Sequence, residues 1–104
     1  MHAAFKALAD PTRRDILELL RDGPRTSGEI AEHFPTAWAT VSRHLAVLRD
    51  AGLILSERNG QQIIYELNTT VVDDVIQQLL SWAKPGASRR SRRNGGASGG
   101  KRDA

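Results

Sequence analysis

A mainly α fold carrying one β-hairpin is what this 104-residue sequence predicts, and three observations predict it. Apolar residues recur at helical spacing in five stretches. Strand-like runs begin only after Gly52. Those runs flank Asn59-Gly60, a dipeptide that favours a tight hairpin turn.

Phe5, Leu8 and Ala9 mark a short first helix. Asp10-Pro11 then starts a second, because Asp accepts from the first free amides of a helix and Pro is tolerated at its first position. Ile16, Leu17 and Leu20 form its stripe, and Asp22-Gly23-Pro24 ends it. Thr26-Ser27-Gly28-Glu29 reads as a capping box, in which hydroxyl and carboxylate each satisfy a free amide. The helix that follows carries Ile30, Ala31 and Phe34 and stops at Pro35. Thr36 is the expected cap of the next helix, which runs roughly from Ala37 to Ala51. Val41, Leu45 and Leu48 are its apolar stripe, and Gly52 ends it. Leu53–Glu57 and Gln61–Leu67 read as strands with Arg58-Asn59-Gly60 between them. Asn68-Thr69-Thr70 is placed to cap a last helix bearing Val72, Val75, Ile76, Leu79, Leu80 and Trp82.

Two short helices a few residues apart form a helix-turn-helix, and the hairpin behind them is a candidate wing. The expected architecture is a winged helix-turn-helix in the order α-α-α-α-β-β-α, occupying residues 1–84. From Pro85 to Ala104 the chain is mostly Gly, Ser, Ala and Arg with no large apolar residue. Such a segment cannot offset the entropy of ordering, so a disordered basic tail is expected. It carries Arg89, Arg90, Arg92, Arg93, Lys101 and Arg102 against Asp103, a net charge of +5. The rest of the chain therefore holds −2 of the total +3. Net charge is no evidence that the folded part binds nucleic acid.

There are no cysteines, which excludes disulfides, thiolate metal sites and cysteine nucleophiles. Met1–Lys6 lacks the long apolar core of a signal peptide, and no apolar run approaches the ~18 residues needed to span a bilayer. A cytoplasmic protein without membrane contact is expected.

The run Phe5-Lys6-Ala7-Leu8-Ala9-Asp10-Pro11-Thr12-Arg13-Arg14-Asp15-Ile16-Leu17 resembles the opening motif of the ArsR/SmtB family of bacterial repressors. Val41-Ser42-Arg43-His44-Leu45-Ala46-Val47-Leu48-Arg49-Asp50-Ala51-Gly52-Leu53-Ile54 looks like that family's recognition helix and its exit, and Arg58–Leu67 is similar to its wing. The resemblance covers about Phe5 to Trp82. It is nearest to the metal-independent branch of SdpR-type autorepressors. It implies a homodimeric repressor of an inverted-repeat operator, often in its own promoter, with double-stranded DNA as partner. Metal-sensing members often carry cysteines in the helix before the turn, where this chain has Glu29-Ile30-Ala31-Glu32-His33. Others use His and carboxylates on the last helix, where this chain has Asp73 and Asp74 and no histidine. Neither a metal nor a cofactor is expected.

A wheel centred on the apolar stripe turns Ala39, Arg43 and Asp50 outward, with Thr40 and Ser42 on the flanks. A recognition helix presents its N-terminal residues to base edges, which favours Ala39, Thr40, Ser42 and Arg43. The fork of Arg43 matches guanine O6 and N7, although phosphate contact and plain solvation are equal alternatives. Thr40 and Ser42 suit phosphates or a thymine methyl, or else satisfy local backbone. Trp38 and His44 fall on opposite borders of the stripe. Each is a candidate DNA contact with a packed alternative. In the wing, Arg58, Asn59 and Gln61 are the candidates for phosphate or minor-groove contact. Arg13 and Arg14 fall near the DNA backbone, with no base contact expected.

The last helix has more apolar surface than one face needs. Phe5, Val72, Val75, Ile76, Leu79 and Trp82 are therefore the expected dimer interface. No catalytic residue is expected. Glu29 and His33 share a helix face, but one carboxylate and one imidazole make a common exposed pair, and Ser42 and His44 do not face each other. A winged helix used only to bind protein is the alternative. An arginine among small hydroxyl residues fits a groove better than the aromatic anchors of a protein interface.

Overall fold

The fold is given by a computed structural model that describes residues 2–83. The expected tail at 85–104 lies outside the described residues. Five helices and three strands follow in the order α1 (His2–Ala7), α2 (Pro11–Leu20), β1 (Arg25–Thr26), α3 (Ser27–His33), α4 (Trp38–Asp50), β2 (Ile54–Asn59), β3 (Gln62–Leu67) and α5 (Thr69–Ala83).

The start signals work through the bonds their chemistry predicts. The Asp10 carboxylate accepts from the amides of Thr12 at 2.8 Å and Arg13 at 3.2 Å, with Pro11 at the first helical position. Thr26 Oγ1 accepts from Glu29 N, and the Glu29 carboxylate accepts from Thr26 N at 2.8 Å, closing the capping box. Asn68 Oδ1 lies 3.5 Å from Val71 N at the start of α5. The expectation for Thr36 fails. Ala37 is the N-cap of α4 and makes no side-chain cap bond, so Thr36 sits one residue too early.

The end of α4 explains the switch from helix to strand. Gly52 N donates to Arg49 O at 2.9 Å and Leu53 N donates to Leu48 O at 3.0 Å, the paired bonds of a Schellman ending. Gly52 has φ 82, a left-handed conformation that a side chain would strain. Leu48 and Leu53, which the motif brings together, are both buried.

The sheet is antiparallel in the order β1-β3-β2. The hairpin register runs from Ile54 opposite Leu67 to Asn59 opposite Gln62. Asn59 is therefore paired, and the two-residue turn is Gly60-Gln61, one position later than expected, with Gly60 at φ 67. The strand β1 is an addition to the predicted order. It pairs Arg25 with Tyr65 and Thr26 with Ile64. Ile16, Leu20, Ile30, Val41, Leu45 and Leu48 are buried between the helices, joined by Leu53, Ile54, Tyr65 and Val75 from the hairpin and α5. Beyond Ile54 every residue of β2 is exposed, so the hairpin projects from this core.

Candidate nucleic-acid interface

The helix α4 is held by one face. Val41, Leu45 and Leu48 are buried, one every turn or so, while residues 35–39, Ser42, Arg43 and Asp50 are exposed. The exposed group Ala39, Ser42 and Arg43 lies in its N-terminal half, and Thr40 is half-buried beside it. A helix free on that face can lie in a major groove without unpacking. Trp38, expected on a border of the stripe, is 45% exposed. It begins α4 one turn before Val41, where the flanking chain is also exposed. Arg58, Asn59 and Gln61 are all exposed at the tip of the hairpin. They sit well placed for a partner that extends past α4.

His44 is half-buried, and its contact comes from α2. Arg13 Nη1 lies 3.3 Å from His44 Nδ1. The same guanidinium donates from Nε to Ala7 O at 2.7 Å and from Nη2 to Lys6 O at 3.3 Å. Arg14 Nη1 donates to Leu8 O at 2.8 Å. The two arginines thus donate to carbonyls at and just past the end of α1, of which Lys6 O also accepts from Ala9 N at 3.2 Å, where the negative pole of a helix favours cations. Sequence reasoning placed both near the DNA backbone and missed this role. A signal was available. Cations in the first turn of a helix oppose its dipole, so their partners had to lie off α2. Desolvation works against ionisation of Asp10. It is outweighed by the amides of Arg13 and Thr12 and by the nearby His44 and Arg13 side chains, which together hold its carboxyl below the usual value of 3.8.

Of the residues expected at a dimer interface, Phe5 and Trp82 stand together, with ring centroids 5.5 Å apart, and join α1 to α5. Val75 is only 3% exposed and belongs to the core of a single chain. Val72 is half-buried against that core. Ile76, Leu79, Leu80 and Trp82 are 44 to 66% exposed. Among the described residues, no group of three His, Cys, Asp or Glu is arranged to hold a metal ion. No helix among them is long and apolar enough to cross a membrane.

Comparison with known proteins matches this geometry. A helix-turn-helix domain model covers residues 8–57, from just past α1 through α2, α3 and α4 into the first strand of the hairpin. The chain is 48% identical over 86 residues to the transcriptional repressor SdpR of Bacillus subtilis (strain 168), a stretch that is 83% of this chain and 96% of that repressor. It is 36% identical over 75 residues to the arsenical resistance operon repressor of Staphylococcus aureus, 72% of each chain. A crystal structure of an ArsR family transcriptional regulator superimposes with a TM-score of 0.65 at 32% identity, over 80% of this chain and 90% of that one. These proteins are transcriptional regulators, not enzymes. This chain is accordingly a DNA-binding transcriptional repressor, and it belongs to the ArsR/SmtB family, alongside SdpR.

Proposed function

We propose that two copies of the chain associate through α1 and α5 and seat their α4 helices in successive major grooves of an inverted-repeat operator, one such operator lying upstream of the chain's own gene. The observation that carries this reading is the exposed N-terminal half of α4, with Ala39, Thr40, Ser42 and Arg43 on or beside a face that the core does not use. Arg43 reads a base, Thr40 and Ser42 contact phosphate or a thymine methyl, and Trp38 packs at the groove edge. His44 lies at the margin. Arg58, Asn59 and Gln61 of the wing reach the neighbouring backbone. The exposed Ile76, Leu79 and Trp82, with Phe5 behind Trp82, supply the apolar patch that a two-fold partner would cover. Two half-sites then lie about one helical turn apart, or a multiple of it. The reading needs neither metal nor cofactor and places the protein with the DNA in the cytoplasm.

The test is a fluorescence-anisotropy titration against the DNA upstream of the gene. We expect tight binding there over a random duplex of equal length. The protection footprint should show two-fold symmetry. Equal binding to both duplexes at low salt would overturn the reading, and so would a footprint over a single half-site. Addition of zinc or arsenite is expected to leave the complex intact.

A further inference from the structure

Arg13 makes three contacts at once: two to the carbonyls that end α1 and one to His44 on α4, 31 residues away. An arginine side chain has only donors. For this contact to be a hydrogen bond His44 Nδ1 must accept, which requires the neutral ring that carries its N–H on Nε2. If Nδ1 were protonated, two N–H groups and two positive charges would face each other and the contact would be lost. The charged groups around the ring are few. Arg13 and Asp10 approach from the start of α2. Lys6 of α1 and Asp50 of α4 line the same cleft as Arg13.

We propose that Arg13 is a positioning residue for DNA recognition. By holding His44 as the neutral Nε2–H tautomer, it ties the recognition helix to the end of α1 and keeps positive charge off the ring in the DNA complex. The proposal rests on the reading of α4 as the recognition helix and of α1 as part of the dimer. The link then carries the spacing set by the paired subunits to the helix that reads the groove. Arg14, which bonds Leu8 O just past the end of α1 and makes no bond to α4, has no such reach.

Two measurements test it on the full chain. The first needs no DNA: two-bond proton–nitrogen correlation spectra of the histidine rings near pH 8. We expect His44 as the Nε2–H tautomer in the wild type and a tautomer mixture in Arg13→Ala. An Nδ1–H ring in the wild type, or identical spectra for the two proteins, would overturn the proposal. The second is affinity for the upstream duplex across roughly pH 8 to 5.5, the range in which histidines ordinarily titrate. Wild-type binding should weaken as the pH falls, because protonation breaks the tie. Arg13→Ala should bind roughly tenfold more weakly at pH 8, the scale of a lost hydrogen bond from a charged donor. Its affinity should then hold or rise as the pH falls, because its imidazolium is free to sit beside phosphate. His44→Ala should abolish the difference between the two profiles, which controls for His2 and His33. Arg13→Lys should behave like Arg13→Ala, since one ammonium cannot bridge both carbonyls and the ring. Parallel profiles for wild type and Arg13→Ala would reduce Arg13 to a structural part and overturn the proposal. Failure of every protein to prefer the upstream duplex would instead strike the operator reading, and the spectra would still decide the tie.

Discussion

Arg43 stands exposed on the second turn of α4, one residue beyond Ser42 and on the side away from Leu45. Nothing in the fold needs it, so Arg43→Ala should leave the melting temperature unchanged. If its fork pairs with a guanine edge, the loss is about 1–3 kcal/mol of preference for the operator. Competition titration against random duplex measures that preference directly. A uniform weakening on both duplexes would instead make Arg43 a phosphate contact. Asp10 is a residue of the opposite kind, wholly committed to the fold. Its carboxyl titrates below the ordinary 3.8 when folded, so the ionised form favours the native state. That contribution is complete above 3.8 and is lost as the pH falls below it through the folded value. Asp10→Asn keeps an acceptor for the amides but removes the titration. We expect it to lower stability at neutral pH and to flatten the acid limb of a urea-unfolding series, bringing the two proteins together at the lowest pH. Parallel acid limbs would show that the cap is not the source.

The start signals of α2 and α3 separate hydroxyls that cap from hydroxyls that merely precede a helix. Thr26→Ala removes the acceptor for Glu29 N and should cost about 1 kcal/mol in urea denaturation. Thr36→Ala should stay within about 0.5 kcal/mol, because Thr36 caps nothing and is exposed. Equal costs at the two positions would contradict the assignment of Ala37 as the N-cap of α4. The comparison also shows where local sequence stops being sufficient. Asp10, Thr26 and Gly52 act within five residues of themselves, and each was legible. The two residues of β1 carry no alternation, and their pairing with Ile64 and Tyr65 is set by tertiary packing, so nothing local announced them. The outward face of α4 was legible because Val41, Leu45 and Leu48 define its opposite. The Arg13–His44 contact escaped for the same reason as β1, since its partners lie on different elements.

Over the whole molecule the charge is uneven, with −2 on residues 1–84 and +5 on residues 85–104. With a net negative charge on residues 1–84, the proposed DNA binding rests on shape, base contacts and pairing with a second copy rather than on bulk charge. Leu79→Glu tests the pairing. Leu79 is largely exposed in a single chain, so the variant should fold, yet it should sediment as a monomer and lose the two-fold footprint. A variant that sediments as a dimer would move the interface elsewhere. The tail calls for a different measurement, because its arginines sit among Gly and Ser with no apolar anchor to fix them against a base. The contribution we propose for them is the release of counterions, which adds affinity on any sequence and fades with salt. Each phosphate neutralised contributes about 0.9 to the slope of log affinity against log salt. Removing residues 85–104 takes away six cations. The slope should therefore become shallower by up to about 5. The operator should lose affinity in step with a random duplex, leaving their ratio unchanged. Anisotropy titrations of both duplexes across a salt series separate the two quantities. A changed ratio with an unchanged slope would place sequence reading in the tail and remove it from α4.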